Sequence, residues 1–103
     1  MLIERLSLSE ATRLAHSGRA SDIDRLLMQL DDRASFADCK VIDYALGLVD
    51  NLEGRQQIRH YLFTGSQIQR NYAALFFKRR RAVEILEDAV ACGCIDAVQA
   101  YAR

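Results

Sequence analysis

Residues 66–90 read SQIQRNYAALFFKRRRAVEILEDAV, and this stretch decides the fold. Apolar residues recur three or four positions apart on both sides of the basic run 78–81, which is the spacing of one face of an α-helix. Ser66 offers a hydroxyl that can cap the first of the two helices. The stretch therefore predicts a helical hairpin, with apolar positions at Ile68, Tyr72, Leu75, Phe76, Ala82, Ile85, Leu86 and Ala89.

The same spacing extends toward both ends of the chain and predicts five more helices. No segment alternates apolar and polar residues over a useful length, so no strand is expected. The apolar positions of the five helices, in chain order, are Leu8, Ala11, Leu14 and Ala15; Ile23, Leu26, Leu27 and Leu30; Phe36, Cys39, Ile42, Leu46 and Val49; Ile58, Tyr61 and Leu62; and Ile95, Val98 and Tyr101.

Residues that favour helix starts recur at a regular interval. Ser7 is followed three positions later by Glu10, which is the spacing of a capping box. A weaker, acidic form of the same device predicts starts at Ser21 and Ser35. The first, third, fifth and seventh helices are predicted to open 28, 31 and 30 residues apart, at Ser7, Ser35, Ser66 and Asp96.

Glycines mark the expected helix ends. Gly18, Gly65 and Gly93 follow predicted helices, where glycine adopts the left-handed cap conformation without a Cβ clash. Gly47 falls inside the third predicted helix instead. We expect it to permit a close helix crossing, since glycine otherwise only weakens a helix.

An interval of about 30 residues predicts a repeated helical hairpin. Each hairpin buries its apolar face by stacking on its neighbours, as in an α-solenoid. We therefore expect one all-α domain over residues 1–103, with about three antiparallel helical hairpins and a last short helix over 95–103. The alternative is a generic bundle of six or seven helices.

Two segments carry a family resemblance. Residues 68–75 read IQRNYAAL and residues 81–90 read RAVEILEDAV, and together they resemble the two helices of a HEAT-type repeat. The resemblance is clearest over residues 66–93. It implies a right-handed α-solenoid stack that serves as a scaffold and binds another macromolecule along one surface.

Composition bounds the class of protein. The 103 residues carry 14 Lys+Arg against 14 Asp+Glu, so the formal net charge is zero, which disfavours a protein built mainly to bind polyanions. Three cysteines cannot form a complete disulfide framework. The longest apolar run, 72–77, is far shorter than the roughly 20 residues that span a bilayer. We expect a cytoplasmic protein with free thiols and no membrane partner.

The charges are unevenly distributed along the chain. Residues 1–52 hold 6 basic and 9 acidic side chains, residues 53–103 hold 8 and 5, and residues 54–83 hold no acid. The simpler interpretation of the basic run 78–81 is that its side chains are solvated and stabilise the C-terminal end of the fifth helix through the helix dipole. The functional reading is a basic surface for a partner. The candidate partner-binding residues are Arg55, Arg59, Arg70, Lys78, Arg79, Arg80 and Arg81.

These features predict a small non-enzymatic protein–protein interaction or scaffold module. The partner is another protein or a second copy of the chain, because a last helix without a following repeat leaves an apolar flank that a homodimer would cover. The alternative is RNA or DNA binding through the basic stretch Arg55–Arg81. Tyr61, Phe63, Tyr72 and Phe77 could then offer stacking, although most of them fit the core better.

No catalytic or metal motif accompanies this basic stretch. Cys92-Gly93-Cys94 is a C-x-C whose side chains are expected to diverge at a helix end and to pack as small apolar groups, with no neighbouring cation to activate a thiol. A metal site would need added ligands from Cys39, His16 or His60. We therefore expect no catalytic residue, metal, cofactor or small-molecule substrate. An enzyme with His60 or Cys92 in a deep pocket is the remaining alternative.

Overall fold

The structure is a computed structural model that describes residues 4–102. Within those residues it contains seven α-helices and no strand, so the predicted all-helical class is confirmed. Arg103, which the prediction placed in the last helix, lies outside the described residues. The helices are α1 Leu8–Ser17, α2 Ala20–Met28, α3 Phe36–Gly47, α4 Leu52–Thr64, α5 Gln67–Arg79, α6 Val83–Ala91 and α7 Ala97–Tyr101.

The four predicted odd-numbered helix starts are confirmed, and each is a complete capping box. The N-cap side chain accepts a hydrogen bond from the third helical N–H, and the third side chain accepts one from the N-cap N–H. The interval of about 30 residues is therefore a property of the structure. The four pairs are Ser7 with Glu10, Ser35 with Asp38, Ser66 with Gln69 and Asp96 with Gln99.

The predicted start at Ser21 is wrong. The N-cap of α2 lies two residues earlier, at Arg19, which makes no side-chain cap hydrogen bond, and the helix begins at Ala20. The Glu53 carboxylate takes over the capping role, since its Oε2 accepts from the Ala20 N–H at 2.7 Å. The acceptor for this helix start thus comes from a distant part of the sequence.

Two glycine predictions also need correction. Gly47 is the last residue of α3, and a Cβ added there would meet nothing within 4 Å, so no close helix crossing occurs at it. The close approach is at Gly54 in the first turn of α4. There an added Cβ would lie 2.5 Å from Cγ1 of Val49 and 2.6 Å from Oδ1 of Asn51. Gly65 directly follows α4 but is not among the residues with positive φ.

The chain divides into two compact units, Met1–Gln57 and Ile58–Arg103, of which the structure describes 4–57 and 58–102. The boundary falls inside α4. The expectation of a single domain over 1–103 stays a prediction. The α-solenoid arrangement also stays a prediction, because the helix contacts described below lie within each unit.

In the first unit α1, α2 and α3 pack against one another. The segment before α1 is held to the end of α2 by Arg5, whose guanidinium donates to the Gln29 carbonyl and to Oδ1 of Asp31, both at 2.7 Å. The core residues of this unit are Ala11, Leu14, Ala15, Ile23, Leu26, Leu27, Leu30, Cys39, Ile42, Ala45, Leu46 and Val49.

In the second unit α5 contacts both α6 and α7, and α6 contacts α7. Phe76 and Phe77 are buried and meet edge to face, with ring centroids 5.0 Å apart. The remaining core residues of this unit are Ile58, Leu62, Ala73, Ala74, Leu86, Ala89, Ile95 and Ala100.

Candidate functional site

A groove of about 570 Å³ opens in the second unit beside the C-terminal part of α5, the start of α6 and helix α7. This volume lies within the range of ligand-binding clefts, about 300–1,000 Å³. The lining combines six apolar residues with three cationic side chains. They are Leu75, Val83, Leu86, Ala100, Tyr101 and Ala102, with Lys78, Arg79 and Arg81.

The turn between α5 and α6 brings the cations to this groove. The N–H of Ala82 bonds to the Phe77 carbonyl and that of Arg81 to the Lys78 carbonyl, both at 3.0 Å. This pair of bonds is the Schellman motif, in which the residue after the C-cap is left-handed. That residue is Arg81, with φ 55°. The reversal places Arg81 at the groove rim next to the start of α6.

Three of the seven predicted partner-binding residues therefore meet at one groove. Lys78 is half-buried, and its Nζ donates to the Ala102 carbonyl at 2.8 Å, which ties α5 to the end of α7. Arg79 and Arg81 are exposed at the rim. The groove thus combines an apolar floor with a positive edge.

Two of the predicted residues lie elsewhere on the chain. Arg55 belongs to the first unit and forms an ion pair with Asp50 at 3.0 Å. Arg59 is exposed on α4, and its guanidinium carbon stands 4.8 Å from the ring centroid of Phe63. Both arginines belong to α4, but the boundary between the two units falls between them.

The remaining two arginines contact their own unit closely. Arg70 donates from Nε to the Gly65 carbonyl at 2.8 Å and from Nη1 to the Cys94 carbonyl at 3.0 Å. Arg80 lies over the ring of Phe76, with 3.7 Å from the guanidinium carbon to the centroid. Both side chains are half-buried. Their hydrogen-bonding and stacking surfaces are used within the fold.

Tyr101 is a groove residue that the candidate list missed. Its side chain is 54 % exposed, and its neighbour on α7, Val98, is 70 % exposed. Both were expected on the buried stripe of the last helix. The buried position of α7 is Ala100 instead. The aromatic side chain available at the site is thus Tyr101, whereas Phe77 is buried.

The expectations for the cysteines were wrong in two respects. Cys92 and Cys94 do not diverge but form a disulfide, with Cα atoms 5.6 Å apart. Cys92 is exposed and Cys94 half-buried, so they are not core residues. Arg70 of α5 donates to the backbone carbonyl of Cys94, and the expectation that no cation activates a thiol stays a prediction. Cys39 is free and buried, as expected.

Four titratable groups of the first unit have a shifted pKa. A backbone hydrogen bond from the N-cap serine lowers the pKa of Glu10 and, in α3, that of Asp38. The hydrogen bond between Asp31 and Arg5 lowers the pKa of the acid and raises that of the guanidinium. These shifts belong to caps and an ion pair that support helices.

No metal-binding cluster is found in the described part of the chain. Residues 4–102 contain no group of three or more His, Cys, Asp or Glu that could hold an ion. His16 and His60 are exposed and lie in different units, and the His60 ring stands 3.3 Å from the Thr64 hydroxyl. The groove residues above are the candidate site.

Comparison with known proteins adds no relative. Over residues 4–102 no helix is both long and apolar enough to cross a bilayer. No protein-family model matches the chain, and neither curated proteins nor solved structures give a match.

Proposed function

We propose that this chain is a non-enzymatic protein-binding module whose groove in the second unit accepts an acidic, apolar segment of a partner protein. The observation that carries the proposal is the combination of an apolar floor with three cations at one cleft. An apolar side chain of the partner leaves water when it enters the groove, and its flanking carboxylates pair with the rim.

The rim chemistry favours carboxylates. Arg79 and Arg81 present planar guanidinium groups that bind a carboxylate through two hydrogen bonds. Both are exposed, so pairing with them costs little desolvation. Each exposed pair contributes about 0.2–1 kcal/mol. Affinity then depends mainly on the apolar contact, and the cations select the charge of the partner.

The floor also favours a peptide over nucleic acid. RNA or DNA binding through the stretch Arg55–Arg81 needs phosphate contacts and stacking platforms. Phe76 and Phe77 are buried, which removes two aromatic rings of this stretch from stacking. Leu75, Val83 and Leu86 line the groove instead. Nucleic-acid binding remains the alternative that the experiment below must separate.

The HEAT-like arrangement is part of the same proposal. Capping boxes open every second helix about 30 residues apart, which supports a repeated helical hairpin. In the helical-repeat proteins that this layout resembles, stacked hairpins present a continuous binding surface. The proposed groove would then be the partner-facing end of the last hairpin.

A second copy of the chain is the competing occupant. Residues 4–57 carry seven basic and ten acidic side chains, whereas residues 58–102 carry six and four. In the first unit, Leu52 is 70 % exposed and lies between the acids Asp50 and Glu53 in sequence. Light scattering at high micromolar concentration tests self-association. A dimer that Arg79→Glu dissociates would assign the groove to a second copy.

A selection from random peptides tests the proposal directly. The intact chain is immobilised and panned against a displayed library, with an Arg79→Glu variant panned in parallel. We expect peptides enriched in Leu, Ile or Phe flanked by Asp or Glu, and their loss on the variant. No enrichment, or enrichment of basic peptides, would overturn the proposal. Retention of RNA or DNA that falls steeply with salt would favour the alternative.

A further inference from the structure

A second feature lies away from the groove, at the connection between α6 and α7. We propose that Cys92 and Cys94 form a dithiol–disulfide exchange site whose substrates are low-molecular-weight thiols and their disulfides. The proposal is independent of the peptide-binding function. Its basis is the geometry of the Cys92-Gly93-Cys94 turn and its surroundings.

The backbone brings the two cysteines together. The N–H of Cys94 bonds to the Ala89 carbonyl at 2.9 Å, and that of Gly93 bonds to the Val90 carbonyl at 3.0 Å. These are the two bonds of a Schellman motif, with Gly93 left-handed at φ 78°. The turn holds the two Cα atoms 5.6 Å apart, which is the usual separation across a disulfide. The helix end therefore favours ring closure.

The two cysteine residues differ in exposure. Cys92 is exposed, whereas Cys94 is half-buried. Thiol–disulfide exchange requires an approach to one sulfur along the S–S axis, so access decides which sulfur reacts with an external partner. Cys92 is the residue that meets the external thiol or disulfide, and Cys94 is the resolving residue.

Arg70 fixes the backbone at Cys94. Arg70 donates from Nη1 to the Cys94 carbonyl at 3.0 Å and is held there by its second bond to the Gly65 carbonyl. The bond to Cys94 holds the backbone of the turn against α5. Arg70 is thus a positioning residue for this site.

A purely structural staple is a weaker explanation of the same disulfide. A disulfide stabilises a fold mainly by restricting the unfolded chain, and it does so more for longer loops. Cys92 and Cys94 are only two positions apart, and the turn between them is already fixed by backbone hydrogen bonds. The crosslink therefore restricts the unfolded chain only slightly. Stabilisation of the fold is the weaker explanation of this disulfide, and redox exchange is the stronger one.

Oxidation of the dithiol takes two displacement steps. The Cys92 thiolate attacks one sulfur of a small disulfide, forms a mixed disulfide and releases one small thiolate. The Cys94 thiolate then attacks the Cys92 sulfur, closes the intramolecular disulfide and releases the second thiolate. Two electrons pass from the protein dithiol to the small disulfide, and the reverse sequence reduces the protein.

The test uses the intact chain with glutathione as the probe. The reduced protein is incubated with oxidised glutathione, quenched in acid and measured by intact mass and peptide mapping, and then exposed to reduced glutathione. We expect wild type to lose two hydrogens at Cys92 and Cys94 and to regain them. Cys94→Ser should accumulate one glutathionyl group on Cys92. Cys92→Ser should react about tenfold more slowly, because its remaining thiol is half-buried.

Three outcomes would overturn the proposal. They are a wild-type dithiol that stays reduced in excess oxidised glutathione, a disulfide that joins two chains, and a disulfide that reduced glutathione cannot open in the folded protein. Circular dichroism checks that each variant is helical. Cys94→Ala replaces Cys94→Ser if the serine variant does not fold, and the same mixed disulfide is then required.

Discussion

Arg81 occupies, at the end of α5, the left-handed position that Gly93 occupies at the end of α6, with φ angles of 55° and 78°. Both residues sit in Schellman motifs with the same two backbone hydrogen bonds. Glycine adopts this conformation freely, but a residue with a Cβ costs about 1–2 kcal/mol there. The turn that carries the groove's positive rim therefore holds an arginine where glycine would be more stable.

Arg81→Gly should stabilise the protein by about 1 kcal/mol, because it removes the left-handed strain of a residue with a Cβ. Thermal unfolding followed by circular dichroism should show Tm rising by about 4–8 °C. Arg79→Gly is the matched control. It makes the same change two residues earlier, at the last residue of α5, and should lower stability. A lower Tm for Arg81→Gly would contradict this account of the turn.

Gly54→Ala and Gly47→Ala should have opposite effects on the free energy of unfolding. A Cβ at Gly54 would lie 2.5 Å from Cγ1 of Val49, so we expect a loss of about 1–3 kcal/mol from overpacking. Gly47 ends α3 and has open space around it, so alanine there should be neutral or gain up to about 1 kcal/mol. Urea denaturation of both variants checks the pair, and equal effects would exclude the close approach at Gly54.

The capping box of α3 should make stability depend on pH. The backbone hydrogen bond from Ser35 lowers the pKa of Asp38 in the folded protein. A lowered folded-state pKa contributes stability that is present above the unfolded-state pKa, about 3.9, and is lost as pH falls through the folded-state value. The Tm gap between wild type and Asp38→Asn should therefore be widest near pH 7 and close below about pH 4.

Ser35→Ala supplies the control for the same box. The serine side chain accepts from the Asp38 N–H at 3.0 Å, and its loss should cost about 1 kcal/mol. Ser35→Ala and Asp38→Asn together should cost less than the sum of the single changes, because both act on one set of hydrogen bonds. Strict additivity in a double-mutant cycle would show that the two residues act separately.

Helix starts were predictable where their chemistry is local. The boxes at Ser7, Ser35 and Ser66 need only a hydroxyl and an acceptor three positions later, so sequence spacing is sufficient. The start of α2 was missed because its acceptor is Glu53, 33 positions after Ala20. No local rule connects those two residues.

The site was predictable only in part, for the same reason. The basic run Lys78–Arg81 marks the turn in sequence, but Tyr101 reaches the groove only because α7 packs on α5 and α6. Arg70 meets Cys94 across 24 positions of sequence. The sequence composition indicates a basic stretch. Which of its cations lie at the same cleft is decided by tertiary packing.

A charge-swap binding measurement tests the central claim most directly. A fluorescent peptide with one leucine flanked by glutamates, and its lysine-flanked counterpart, are titrated against wild type, Arg79→Glu and the control Arg59→Glu, which lies outside the groove. We predict that Arg79→Glu weakens the acidic peptide about tenfold and strengthens the basic one, and that Arg59→Glu leaves both unchanged. Equal binding of both peptides by all three proteins would contradict the claim that the groove selects acidic, apolar partners.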